Sequence, residues 1–292
     1  MSDGARGARW RQGPTAWQLP RPAGYGLLAL PASLYLAAVF AVPLLSLVVG
    51  SLVVDGRPTL SNFVSYLGDA HERASVTATI RYATLSGLIC LLLGYPFARL
   101  MVRIGGRAQL LLFAALLLPM SLSLIVRAFG WTILLSRGGV INQVLVATGL
   151  IDHPMRLLFT ETGLLLGTVS IKLPLMILPI YVVLKTIPQE IGEAAATLGA
   201  GPIYRFLHLD LPLAIPGMLA GFALVFAQAA AAYVLPTLLG GSRYLIMSKA
   251  IVDAYLILQS GPVGSTISVL LLAIVITVIV FAGRMASRWR RL

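Results

Sequence analysis

Glu193, Ala194 and Ala195 are followed at fixed distances by Gly199, Leu209, Leu211 and Pro212, in the stretch EAAATLGAGPIYRFLHLDLP. They form one polar stretch in a very apolar chain, with a carboxylate at its head and glycine and proline at fixed places after it. Glu190 to Leu198 is rich in helix formers, Gly199, Gly201 and Pro202 stop that helix, and Tyr204 to Leu209 restarts a second. Pro212 marks where the next apolar run begins. The expected product is a helix-turn-helix knob, within residues 189–212, standing out from an apolar body.

A second group of candidates consists of polar and aromatic residues inside apolar runs: Arg127, Trp131, Lys172, Gln228 and Tyr233, with Tyr82 beside them. An ionisable group inside a bilayer is costly, and its default reading is functional. Lys172 lies near the middle of the run from Thr162 to Leu184 and cannot easily reach either surface, so it is expected to face a water-filled path or a partner subunit. Arg127 lies toward the outer part of its run, where a long side chain can also extend its charge to the interface. Gln228 sits in an alanine-rich run, where a buried amide needs a partner. No Asp or Glu falls at comparable depth.

Catalytic and metal chemistry find little here. Cys90 is the single cysteine, and His71, His153 and His208 fall in three separate segments, so neither a disulfide nor a metal centre is expected. A membrane-embedded acyl- or glycosyltransferase would need a set of acids, histidines or a nucleophile at the membrane surface, and no such set is visible. There is also no GxxxxGK[ST] loop to cradle phosphates, so this chain is not itself an ATPase. An ion-coupled secondary transporter is the remaining alternative from another class. It usually shows intramembrane acids or paired broken helices in two repeats, and neither is evident.

The elements that must position these residues are set by composition. With 58% hydrophobic residues and a mean hydropathy of +0.91, the chain is an integral membrane protein. A spanning helix needs about 20 mostly apolar residues, and the charge-free runs predict an all-α bundle of about six transmembrane helices. A basic tail at 1–26 leads into a first span at 27–54, a periplasmic loop at 55–73, a five-helix core at 74–284 and a basic tail at 285–292. The third span is expected to run from Ala108 through Pro119 to Leu135, with an outside segment from Arg137 to Glu161.

The net charge of +12 would suggest nucleic acid in a soluble protein, but its distribution points to topology. Arg6, Arg9, Arg11 and Arg21 precede the first span, Arg99, Arg103 and Arg107 follow the second, and Arg284, Arg288, Arg290 and Arg291 close the chain. The positive-inside rule then puts both termini and the 189–212 loop in the cytoplasm. No nucleic-acid partner is expected.

The Glu193–Pro212 spacing resembles the EAA loop of ABC importer permeases, with Leu209 standing where that pattern has isoleucine. The likeness covers most of the chain from the second span onward. Val126 to Trp131, Gly139 to Asn142, Pro174 through Pro179, and Pro236 to Gly241 followed by Met247 are similar to the first permease of spermidine/putrescine importers. These motifs are shared with relatives that carry ferric iron, sulfate, phosphonates, or small amino acids and opines.

The resemblance implies a type I importer permease fold in the bacterial inner membrane, with ATP and Mg bound by a partner ATPase dimer. The other implied partners are a second permease, a periplasmic solute-binding protein and membrane lipid. Glu193 would make the polar contact with the ATPase, Gly199 would allow the bend, Ala194, Ala195 and Leu198 would pack against the partner, and Leu209 and Pro212 complete the coupling set. Transport would proceed by alternating access, with ATP-driven closure of the ATPases moving the Glu193 loop. The likeness implies a polyamine cargo, yet Arg127 and Lys172 would repel a polycation in a low-dielectric path. Acids from the partner permease, or a cargo bearing a carboxylate or phosphonate, would each resolve that conflict.

Overall fold

The computed structural model describes residues 25–54, 57–241 and 244–289. Most of the expected N-terminal tail, and Arg290 to Leu292 of the C-terminal one, lie outside the described residues. Helix α1 runs from Tyr25 to Leu52 through Pro31 and Pro43, and the chain divides into two units within it, after Ser46. In the first unit, the side chains from Leu30 to Ser46 are exposed. An apolar helix tolerates this in a bilayer, where the surrounding tails are as apolar as leucine.

The second unit opens with the last turn of α1 and an antiparallel ribbon, β1 (Val53–Val54) against β2 (Arg57–Pro58). Helix α2 (Ser61–Gly68) comes next, then α3 (Ala70–Arg103). Asp69 caps α3 by accepting the backbone N–H groups of Glu72 at 3.2 Å and His71 at 2.7 Å, which satisfies donors the first turn cannot. Those two donors hold the Asp69 carboxyl below its ordinary range.

The expected third span is not one helix. It is built as α4 (Gly106–Leu117), a 3-10 turn at Leu118–Ser121 and α5 (Leu124–Leu135). Pro119 has no N–H to continue the ladder, and its ring clashes with the preceding turn. The apolar helical stretch long enough to cross runs from Leu124 to Ala147 instead, so it takes in α6 (Val140–Ala147) and part of the segment read as an outside loop. The chain continues through α7 (Glu161–Lys185), α8 (Gln189–Thr197), α9 (Pro202–Arg205), a π-turn at Phe206–Asp210 and α10 (Leu211–Ala230). A second π-turn at Pro236–Gly240, α11 (Met247–Leu256) and α12 (Gly261–Trp289) complete it. Six segments are long and apolar enough to span a membrane, which agrees with the expected number.

Helix α7 is the centre of this unit, with α3 and α10 both packed along it and α12 behind α10. Glycines set the spacing. A Cβ on Gly217 would lie 2.8 Å from the Pro179 carbonyl oxygen, and one on Gly221 would lie 3.0 Å from that of Met176. The backbones of α7 and α10 therefore approach closely, with the Met176 and Val183 side chains of α7 fitted against the two glycines, the approach that small residues permit. On the α3 side, Gly94 faces Met176, and Gly87 faces Phe222. Gly217→Ala is expected to destabilise the protein by about 1–3 kcal/mol through overpacking against immovable backbone. Gly192→Ala, inside α8 where the space is open, is expected instead to stabilise it by up to about 1 kcal/mol through helix propensity. Thermal unfolding in a mild detergent compares the two.

Candidate functional site

The polar loop folds as two short helices joined by a glycine bend. Pro188 precedes α8, which carries Glu193, Ala194 and Ala195. Gly199 adopts φ +84°, a left-handed conformation that glycine enters without a Cβ penalty. There the N–H of Gly199 donates to the Ala196 carbonyl at 3.0 Å, and that of Ala200 to the Ala195 carbonyl at 3.0 Å, closing α8. Pro202 opens α9 in the first helical position, where its missing N–H costs nothing. Arg205 on α9 reaches back to the Gly192 carbonyl of α8 at 3.2 Å, so the two halves are tied across the bend.

The loop presents an unusual surface. Glu193 and Ala194 are exposed, and Leu198 is 88% exposed. Ile191, Ile203, Tyr204 and Leu207 are exposed beside them, an apolar patch of the kind that marks a protein contact. Leu209 and Pro212 are only half-buried, and Leu209 lines a cleft with Arg99, Ile187 and Asp210. The seven sequence-predicted residues thus sort into an outward set around Glu193 and Leu198 and an inward set at Leu209 and Pro212. Ile203, Tyr204 and Leu207 escaped the sequence reading, because nothing in the spacing distinguishes them from residues that pack on the bundle.

Within the bundle, Lys172 is buried on α7. Its Nζ donates to Oε1 of Gln228 on α10 at 3.1 Å, so the two residues singled out separately are one contact. Arg127 on α5 is a second cation within the spans, and its Nε is buried with no hydrogen-bond partner. Trp131 packs over Gly167, five residues before Lys172 on α7. Tyr233 lies beyond the end of α10 and is 38% exposed. Tyr82 on α3 is fully buried, and its hydroxyl shares a 2.7 Å hydrogen bond with Thr168, four residues before Lys172.

Among the described residues the ion pairs are Arg81–Glu161, Arg99–Asp210 and Arg103–Asp210. Lys172 is in none of them. Glu161 also accepts from the Tyr244 hydroxyl at 3.5 Å. Burial, with Glu161 nearby, pushes that phenol up to about 12, which keeps it a neutral donor. No group of three or more His, Cys, Asp or Glu that could hold a metal occurs among the described residues.

Six membrane-length helices with polar groups held between them, and a partner-ready loop at one end, are the architecture of a membrane transport subunit. The sequence profile of binding-protein-dependent transport system inner membrane components matches residues 90–291, and the chain belongs to that family. Among its relatives is the spermidine/putrescine transport system permease PotB of Haemophilus influenzae, 32% identical over 254 residues that cover 84% of this chain and 88% of that protein. The PotB of Escherichia coli strain K12 is 32% identical over 213 residues, 73% of this chain and 77% of that one. The fold is similar to a chain of a bacterial alginate ABC transporter solved with a periplasmic protein carrying alginate pentasaccharide, with a TM-score of 0.75, 15% identity, and coverage of 90% of this chain and 93% of that one. The chain is a multi-pass permease subunit of an ABC importer in the bacterial inner membrane.

Lys172→Met removes the buried charge along with its bond to Gln228. The variant is expected to be at least as stable as wild type, because a buried cation without a counter-charge is costly. Arg127→Met should then act in the same direction. Thermal unfolding of both variants in detergent measures this.

Proposed function

We propose that the chain forms half of the path of a polyamine importer and that the Glu193 loop receives force from a cytoplasmic ATPase. What carries the coupling part of this reading is the geometry of residues 189–212, a braced helix-turn-helix whose Glu193, Ala194 and Leu198 face outward with no cover. Arg99 and Arg103 at the end of α3 lie at the same end of the bundle as this loop. That clustering supports a cytoplasmic placement for the loop under the positive-inside rule, and with it cytoplasmic termini. ATP and Mg bind the partner ATPase in this reading, and Glu193 makes the polar contact with it. A second permease completes the path, and an external binding protein delivers the cargo.

The polyamine assignment draws on relatives that are spermidine/putrescine permeases over most of their length. One observation favours a second reading, an anionic cargo such as an amino acid, opine or phosphonate. Lys172 has no carboxylate partner among the described residues, and Arg127 on α5 adds a second cation whose Nε is buried and unpartnered. In this reading the cargo brings the counter-charge, whereas under the polyamine reading the second permease supplies it.

The test is purification of the tagged chain with the products of its neighbouring genes, followed by reconstitution in liposomes. An ATPase is expected to co-purify, and Glu193→Ala is expected to lower ATP-driven uptake by about tenfold or more, as when a contact in a coupled network is removed. Spermidine is expected to compete for uptake where a dicarboxylic amino acid does not. The reverse order of competition would favour the anionic cargo.

A further inference from the structure

The loop that faces the ATPase must hand its motion to the helices around Lys172. It is continuous with α7 and α10 through the chain, but α3 can feel it only through side contacts. Those contacts are concentrated at one point. Asp210, the last residue of the π-turn, pairs with Arg99 of α3, and Arg103 lies 4.0 Å away. The Arg99 guanidinium sits 4.6 Å over the ring of Phe206, the first residue of the same turn, and that ring meets Tyr95 edge to face at 5.8 Å. A cleft of about 150 Å³ separates the end of α3 from Ile191 and Gly192 of α8.

We infer that Arg99 and Asp210 form a latch that couples the ATPase-facing loop to α3, which makes both of them positioning residues for transport. The inference rests on the proposed ATPase contact of Glu193. The latch is placed to carry movement from both halves of the loop, because Arg205 already ties α9 to α8. From Arg99, α3 runs about 25 Å to Tyr82, whose hydroxyl bonds Thr168 on the face of α7 that carries Lys172. Pro96 lies in α3 between the two positions, and the helix packs on α7 and α10 along its length, so displacing Asp210 shifts an element that is already in contact with the path. The π-turn fits this role, since such turns replace the regular ladder where a helix must be re-aimed, often at functional sites. Both side chains are partly exposed, at 22% and 33%, so water can replace the pair when it opens, and it can break and re-form in a cycle. A guanidinium held both by a carboxylate and over an aromatic face is also directional in a way lysine is not.

The test uses the reconstituted complex with its ATPase and binding protein, comparing Arg99→Asp, Asp210→Arg and the double exchange. Uptake per assembled complex is expected to fall about tenfold or more in each single variant. The ratio of binding-protein-stimulated to basal ATP hydrolysis should collapse toward one in both. The double exchange, which restores an opposite-charge pair, should bring uptake back to within about threefold of wild type. Single variants that transport within about twofold of wild type would overturn the latch, as would losses matching the amount of complex assembled or a double exchange no better than the singles. A wild-type chain that captures no ATPase would overturn the coupling reading beneath it, an outcome visible before any variant is compared.

Discussion

The contact on which the rest of this structure depends is the backbone approach of α7 and α10 at Gly217 and Gly221. Lipid offers no hydrophobic drive for helix association, so spans adhere by close packing and by the polar groups they share. With the α7 and α10 backbones in contact, Lys172 on one helix reaches Gln228 on the other. The same approach fixes the spacing of the chain ends between which residues 189–212 are strung. Widening it would alter the polar contact and the base of the loop together.

The sequence made some of this legible, for physical reasons that can be named. Six spans could be read because a bilayer forces each crossing to be long, apolar and helical. The loop could be read because glycine and proline act locally: Gly199 takes the left-handed bend expected of it, and Pro202 and Pro212 sit at helix starts. The third span departs from its expected bounds because proline is tolerated inside some spanning helices and breaks others, and at Pro119 only the surrounding packing decides. Lys172 and Gln228 each stand out by cost, yet their contact is invisible in the sequence, since it depends on the rotation of α7 against α10. The pairing of Arg99 with Asp210 is hidden for the same reason, as are the aromatic groups around it.

Two polar contacts of the interior join the same helix to its neighbours. Tyr82 with Thr168 and Lys172 with Gln228 each satisfy a group that lipid would leave unpaired. Both bonds join α7 to a different neighbour, α3 in one case and α10 in the other. Asn142 does the same for a loop: it is buried, its amide donates to the Ser136 and Met155 carbonyls, and its oxygen accepts from the Met155 N–H, each at 3.0 Å. One side chain thereby fixes where α6 sits between two stretches of irregular backbone.

The π-turn at Phe206–Asp210 also bears on how this chain can change length. A π-turn accommodates a residue more than an α-helical turn of the same span, and each residue added to or removed from a helix rotates the remainder of that helix by about 100°. A deletion within the turn would swing α10 so that Gly217 and Gly221 no longer met α7 and Gln228 no longer met Lys172. The bend around Gly199 lies before the turn, in open space, and an insertion there leaves the phase of α10 untouched. A change of loop length is therefore absorbed more easily before Phe206 than after it.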